Sequence, residues 1–192
     1  MTTRADRLSA ARLAWAAIKL TKAGRHPVGV GRLAATVGME PDEARRLLEL
    51  AGFGVRGELV AVDRALRARR EAGRGRDRGC STDLFLLAIA TGERVHAESR
   101  CPATGIRIRV ELCADAVRLV DPPSAVVAVI DGDFGPDLLD TLCTEQPFFA
   151  FPAAAQDWLA ANPGGRIHPV AVFLAEAHRM AAALDASLVA RI

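Results

Sequence analysis

Along the first third of the chain the apolar positions repeat with the period of a helix. Leu8, Ala11, Leu13, Ala14, Ala17, Ile18 and Leu20 recur at near-helical spacing, while Arg4, Arg7, Arg12, Lys19 and Lys22 take polar positions. Gly24 and then His26-Pro27 predict its end. A second unit is predicted from Val30 to Leu50. Its first helix carries Leu33, Ala34 and Val37, Gly38 makes the turn, and Pro41-Asp42-Glu43 opens the second helix. Proline has no donor to lose in a first turn, and acidic side chains favour the positive end of the helix dipole. This offset of small, turn and apolar positions is that of a helix-turn-helix. Phe53 to Val62, with Arg56-Gly57-Glu58 at its turn, predicts a hairpin or wing.

The pattern then breaks. Arginine occupies positions 64, 67, 69, 70, 74, 76 and 78, punctuated by Gly73, Gly75 and Gly79. Such a stretch fits a solvated linker, with an anion or nucleic-acid patch as the alternative. Beyond it, Leu84 to Ala90 predicts a buried helix closed by Thr91-Gly92. Strand character follows over Val95 to Ser99, Arg107 to Leu112 and Ala125 to Ile130, clearest in the alternation Ile106-Arg107-Ile108-Arg109-Val110. Pro102-Ala103-Thr104-Gly105 is a turn between two of them. Helices are predicted over Pro136 to Cys143 and Ala153 to Ala161, and Val170 to Val189 begins as strand or helix and ends as helix. The fold class is therefore α+β. Residues 1–63 form a helical, winged-helix-like module, 64–79 a linker, and 80–192 an α+β domain of mainly antiparallel strands flanked by helices.

Composition narrows the possibilities. The 192 residues are 51% hydrophobic and 25% charged with a net charge of +2, so no global field recruits nucleic acid or an acidic membrane. The candidate recognition helix sets Asp42, Glu43 and Glu49 against Arg45 and Arg46, which argues against phosphate binding. Apolar stretches such as Leu84 to Ala90 are too short to span a bilayer, and the N-terminus lacks the layout of a secretory signal. A cytoplasmic location follows, where cysteines stay reduced.

Chemistry therefore falls to the cysteines. Positions 80, 101, 113 and 143 make no Cys-x-x-Cys pair, and the histidines at 26, 96, 168 and 178 make no zinc motif. Walker, Rossmann and Gly-x-Ser-x-Gly signatures are absent from the sequence. Cys80 and Asp83 fall on one face if their step is helical, and a helix start favours the thiolate. Asp83 is also explained as a complement to the helix dipole. Cys143 adjoins the apolar run Pro147-Phe148-Phe149-Ala150-Phe151. Cys113 is expected as a small core residue, and Cys101 as structural or metal-binding. Thiolates bind soft metals and a carboxylic acid can deliver a proton, so this set points to chemistry on a thiophilic metal.

Three stretches in order resemble the alkylmercury (organomercurial) lyase family: Cys80-Ser81-Thr82-Asp83-Leu84, then Cys101-Pro102-Ala103-Thr104-Gly105, then Cys143 followed by Phe148-Phe149-Ala150 and Asp157-Trp158. The resemblance implies that Cys80 and Cys143 are the mercury-binding thiols, that Asp83 is the carboxylate working with them, and that Cys101 is structural. It implies protonolysis of a carbon–mercury bond to a hydrocarbon and Hg(II), with no required cofactor. Hg(II) would be bound as product by Cys80, Cys143 and Asp83. Burial near the phenylalanines is expected to raise the affinity of Asp83 for its proton. Implied partners are an organomercurial substrate, low-molecular-weight thiols and a mercuric reductase accepting the metal. The chain departs from the family pattern at Gly79, where an aromatic residue is common, and at Thr144, where some members carry a second cysteine. The alternative readings are a non-catalytic thiolate protein that sequesters or senses Hg(II) or Cu(I), and a DNA-binding regulator.

Overall fold

A computed structural model describes residues 4–24, 27–51, 53–62, 81–130 and 146–189. The arginine-rich linker, Cys80, Cys143 and the helix expected over Pro136 to Cys143 lie outside the described residues. Contacts divide the chain into two units, residues 69–181 and a second group of 1–68 with 182–192.

The described residues of the N-terminal unit include helices α1 (Arg4–Lys22), α2 (Val30–Val37) and α3 (Pro41–Leu50), with a hairpin of β1 (Val55–Arg56) and β2 (Leu59–Val60). Its core draws on Leu13, Ala17 and Leu20 of α1, Leu33 and Val37 of α2, and Ala44, Leu47 and Leu48 of α3. Gly38 ends α2 at φ 71°, and the Met39 N–H reaches back to the Ala34 carbonyl at 3.0 Å. That closure requires the left-handed backbone glycine adopts without penalty. Pro41 starts α3 with Asp42 and Glu43 in its first turn, as its sequence predicts. The hairpin turn is held by Arg45, which donates to the Gly57 carbonyl at 2.5 Å and pairs with Glu58 at 2.6 Å. One of the two arginines on the candidate recognition helix is thus committed inside its own unit.

The α+β domain read from the sequence runs to residue 192, but residues beyond Ala181 make contacts with the N-terminal helices. Arg12 donates to the Val37 carbonyl at 3.0 Å and the Ser187 carbonyl at 2.5 Å, Trp15 Nε1 donates to Asp185 at 2.8 Å, and the Val189 N–H donates to the Thr36 carbonyl at 2.9 Å.

The first described elements of the other unit are α4 (Ser81–Thr91), β3 (Val95–Arg100), β4 (Arg107–Leu112) and β5 (Val117–Asp121). It then runs through β6 (Val126–Ile130), β7 (Phe148–Phe149), a 3-10 turn (Pro152–Ala155), α5 (Gln156–Ala161), β8 (Gly165–Pro169) and α6 (Val170–Ala186). The strands form two antiparallel sheets, ordered β3-β4-β5 and β7-β6-β8. In β4 Ile108, Val110 and Leu112 point inward while Arg107 and Arg109 are exposed, which is the predicted alternation. β6 is buried from Val126 to Val129 because it lies between β7 and β8. The α4 side chains Leu84 to Ala88 are all buried, and the Phe85 ring stands edge-on to Phe173 of α6 at 5.0 Å. Antiparallel strands with helices against them make this an α+β fold.

Candidate functional site

Asp83 lies in the first turn of α4, where backbone donors and the helix dipole favour a carboxylate. It is exposed, which corrects the expectation that it is buried near the phenylalanines. The reason is its place at the helix end: Asp83 sits in the first turn of α4, whereas Leu84 to Ala88, which together go right round the helix, are all buried. Ser81 and Thr82, which precede it, are completely buried. Packing thus separates the helix start into an inward pair and an outward carboxylate.

The segment that follows Cys143 in the sequence returns to this same helix start. The Ser81 N–H donates to the Gln146 carbonyl at 3.0 Å, and Thr82 Oγ1 donates to Gln146 Oε1. Gln146 is 1% exposed. Downstream the chain is fixed on both sides. The Ala128 N–H donates to the Pro147 carbonyl at 3.1 Å, Phe148 and Phe149 pair with Val127 and Val126, and Ser124 Oγ donates to the Ala150 carbonyl at 2.8 Å. Phe148 and Phe149 are buried, and the Phe149 ring meets Trp158 of α5 at 6.4 Å. The sequence alone does not signal the Ser81, Thr82 and Gln146 joint. Its only trace is that polar residues interrupt or border apolar runs at 81, 82 and 146.

Cys101 is 1% exposed and opens the turn that Gly105 closes, the Gly105 N–H donating to its carbonyl at 2.8 Å. Burial pushes its thiol pKa up, but the Thr104 hydroxyl and the backbone amides of Ala150, Ala103 and Thr104 bond to the sulfur and outweigh it. The net result lies below the ordinary thiol value. Cys113 is not the core residue the sequence suggested. It follows β4 half-buried, its thiol donating to Asp115 Oδ1 at 3.0 Å and accepting from Arg118 Nε at 3.3 Å. The chain leaves β4 for a tight turn there, with the Cys113 N–H donating to the Ala116 carbonyl at 2.9 Å. The Cys113 hydrogen bond is the foremost reason the Asp115 carboxyl sits below its usual range.

Among the described residues no three His, Cys, Asp or Glu side chains converge to hold a metal. The described part of the candidate site therefore comprises Asp83, the Ser81–Thr82–Gln146 joint and the phenylalanine strand. Sequence attaches Cys80 directly to Ser81, and Cys143 three residues before Gln146.

Comparison with known proteins bears on this arrangement. A profile of the MerB alkylmercury lyase family matches residues 70–185, more than half of the chain. The alkylmercury lyase of Staphylococcus epidermidis is 29% identical over 156 residues, covering 75% of this chain and 70% of that protein. The alkylmercury lyase of Bacillus cereus is 35% identical over 88 residues, covering 46% of this chain and only 40% of that protein. The crystal structure of the mercury-bound form of MerB2 superposes with a TM-score of 0.54 at 16% identity, covering 92% of this chain and 91% of that one, which establishes a shared fold. With the family profile spanning both the Asp83 helix and the Gln146 segment, this chain belongs to the alkylmercury lyase family.

Proposed function

We propose that the protein cleaves the carbon–mercury bond of organomercurials by protonolysis, with Cys80 and Cys143 binding mercury and Asp83 handling the proton. The observation that carries the proposal is the hydrogen-bonded joint of Ser81 and Thr82 with Gln146, which brings together the neighbours of the Cys80–Asp83 step and of the Cys143 segment in a chain of this family. Family membership and the shared fold with a mercury-bound relative support the same reading.

The chemistry follows from soft-ligand bonding. Two thiols bring two protons; forming both S–Hg bonds releases them, one passing to the carbon and one to solvent. The carbon–mercury bond breaks, its electron pair takes the proton to give R–H, and Hg(II) remains between two thiolates. Thiolate donation makes the carbon more basic, and a carboxylate can relay the proton from thiol to carbon. Asp83 is exposed, so it is open to an arriving substrate and to solvent as the source and sink of protons. No further cofactor enters the step. Low-molecular-weight thiols would deliver the substrate and draw off Hg(II), with a mercuric reductase as the final acceptor, and the location would be cytoplasmic.

Incubation with phenylmercury and excess thiol tests the reading. It predicts benzene released over many turnovers by the native protein and lost in Asp83→Ala, Cys80→Ser and Cys143→Ser. Tight mercury binding without benzene would sink it in favour of a sequestering protein.

A further inference from the structure

Thr82 is fully buried, Gln146 is 1% exposed, and each has its side chain engaged with the other. A leucine and a valine would fill such a position with no polar atom to satisfy. A hydroxyl–amide bond is directional, so it fixes one register of the two segments where apolar contact would tolerate several. The main chain marks the same register, with the Ser81 N–H donating to the Gln146 carbonyl at 3.0 Å. The pair is not needed to anchor either element elsewhere. Helix α4 is held by Phe85 against Phe173, and the chain after Gln146 is held by β6 and Ser124.

The position of the pair in the sequence gives it leverage. Ser81 is bonded to Cys80, Thr82 to Asp83, and Gln146 stands three residues from Cys143. With about 3.8 Å between consecutive α-carbons, a shift at this joint reaches all three reacting positions within about 11 Å of chain. Misplacement of reacting groups by about 1 Å can cost roughly a hundredfold in rate.

We propose that the Thr82–Gln146 pair is a positioning clamp that sets the start of α4 against the Cys143 segment, so that both thiols meet one mercury atom. This rests on the lyase reading given above. Neither residue touches the metal in this account; both act through their neighbours.

Thr82→Val removes the hydroxyl at constant shape, Gln146→Met removes the amide, and Thr82→Ser keeps a hydroxyl. Each variant and the double substitution is measured for melting temperature, for Hg(II) affinity in competition with dithiothreitol, and for kcat and KM with phenylmercury. The clamp predicts that Thr82→Val and Gln146→Met each weaken Hg(II) binding by about tenfold and lower kcat by roughly tenfold to a hundredfold, with KM within about threefold. The double variant should be no worse than the poorer single one, and Thr82→Ser should stay within about threefold of the native protein. Native kcat and Hg(II) affinity in the folded fraction of the Val and Met variants, with only the melting temperature lowered, overturn the clamp. A native protein that holds Hg(II) through two thiols but releases no benzene overturns the lyase reading instead, and the Hg(II) affinities of the variants then decide the clamp. A native protein that never engages both thiols overturns the clamp outright.

Discussion

Phe85 and Asp83 stand two residues apart on α4 and should respond to truncation in opposite ways. The Phe85 side chain is 0% exposed and its ring meets Phe173 edge-on at 5.0 Å. Truncating a buried phenylalanine to alanine typically costs about 3–5 kcal/mol, of which an edge-on ring pair accounts for about 0.5–1.5 kcal/mol. Because Phe85 is fully buried against Phe173 of α6, Phe85→Ala should lower stability by about 4 kcal/mol, and Phe85→Leu by less than half of that. Asp83 is exposed in the first helical turn, so Asp83→Ala should cost far less than Phe85→Ala, on the order of 1 kcal/mol. Urea denaturation measures both. The sequence has two tryptophans, Trp15 in α1 and Trp158 in α5, so a Trp15→Phe background leaves Trp158 fluorescence to report on the α4 unit. Activity should show the reverse order: Asp83→Ala abolishes benzene release while remaining folded, and Phe85→Leu retains it in the folded fraction. A Phe85→Ala cost below about 1 kcal/mol, or an Asp83→Ala cost equal to it, would refute this division of the helix into a buried body and an exposed first-turn carboxylate.

Three further outcomes follow from the same packing and electrostatics. The Cys101 thiol has a folded pKa below its unfolded value, so between the two the unfolded chain holds a proton that the folded one has released, and stability rises with pH. Its contribution is lost as pH falls through the folded pKa. Cys101→Ala should remove up to about 1.4 kcal/mol per pH unit from that rise, seen by comparing denaturation curves of the two proteins across the thiol range under reducing conditions. Gly38→Ala should destabilise the N-terminal unit by about 1–2 kcal/mol from the left-handed backbone alone, and by more because a Cβ there meets Val189 Cγ2 at 2.9 Å. A thermal melt that does not move contradicts this. Arg12→Met strips part-buried hydrogen bonds from the Val37 and Ser187 carbonyls, and about 0.5–1.5 kcal/mol of stability should go with each; unchanged urea midpoints would contradict that stitching role.

The sequence was most legible where period and punctuation agree. Helices α2 and α3, their Gly38 turn, the following hairpin and strand β4 match the predicted positions, because glycine, proline and strict alternation each act locally. Strand β5 escaped notice: it lies at a sheet edge with Arg118 and Leu119 exposed, so it has no clear apolar face. Strand β7 read only as an apolar run because Phe148 and Phe149 are both buried and leave no alternation to detect. Helix α5 ends at Ala161 as its sequence predicts, but strand β8 from Gly165 escaped notice, since pairing with β6 is a long-range contact that no local signal carries. Within the candidate site, motif order is what nominates Asp83 and the two thiols, but it misjudged the exposure of Asp83, which depends on where the core begins along α4. Thr82 and Gln146 are separated by 64 positions, and only the folded chain makes them partners.

The central claim is met most directly by soaking crystals of the protein in phenylmercuric acetate and locating mercury by its anomalous scattering. The account predicts one mercury peak bridging the sulfurs of Cys80 and Cys143 beside Asp83, with no phenyl group attached. Mercury on a single sulfur with its phenyl group intact, or mercury at Cys101 or Cys113 instead, would contradict it.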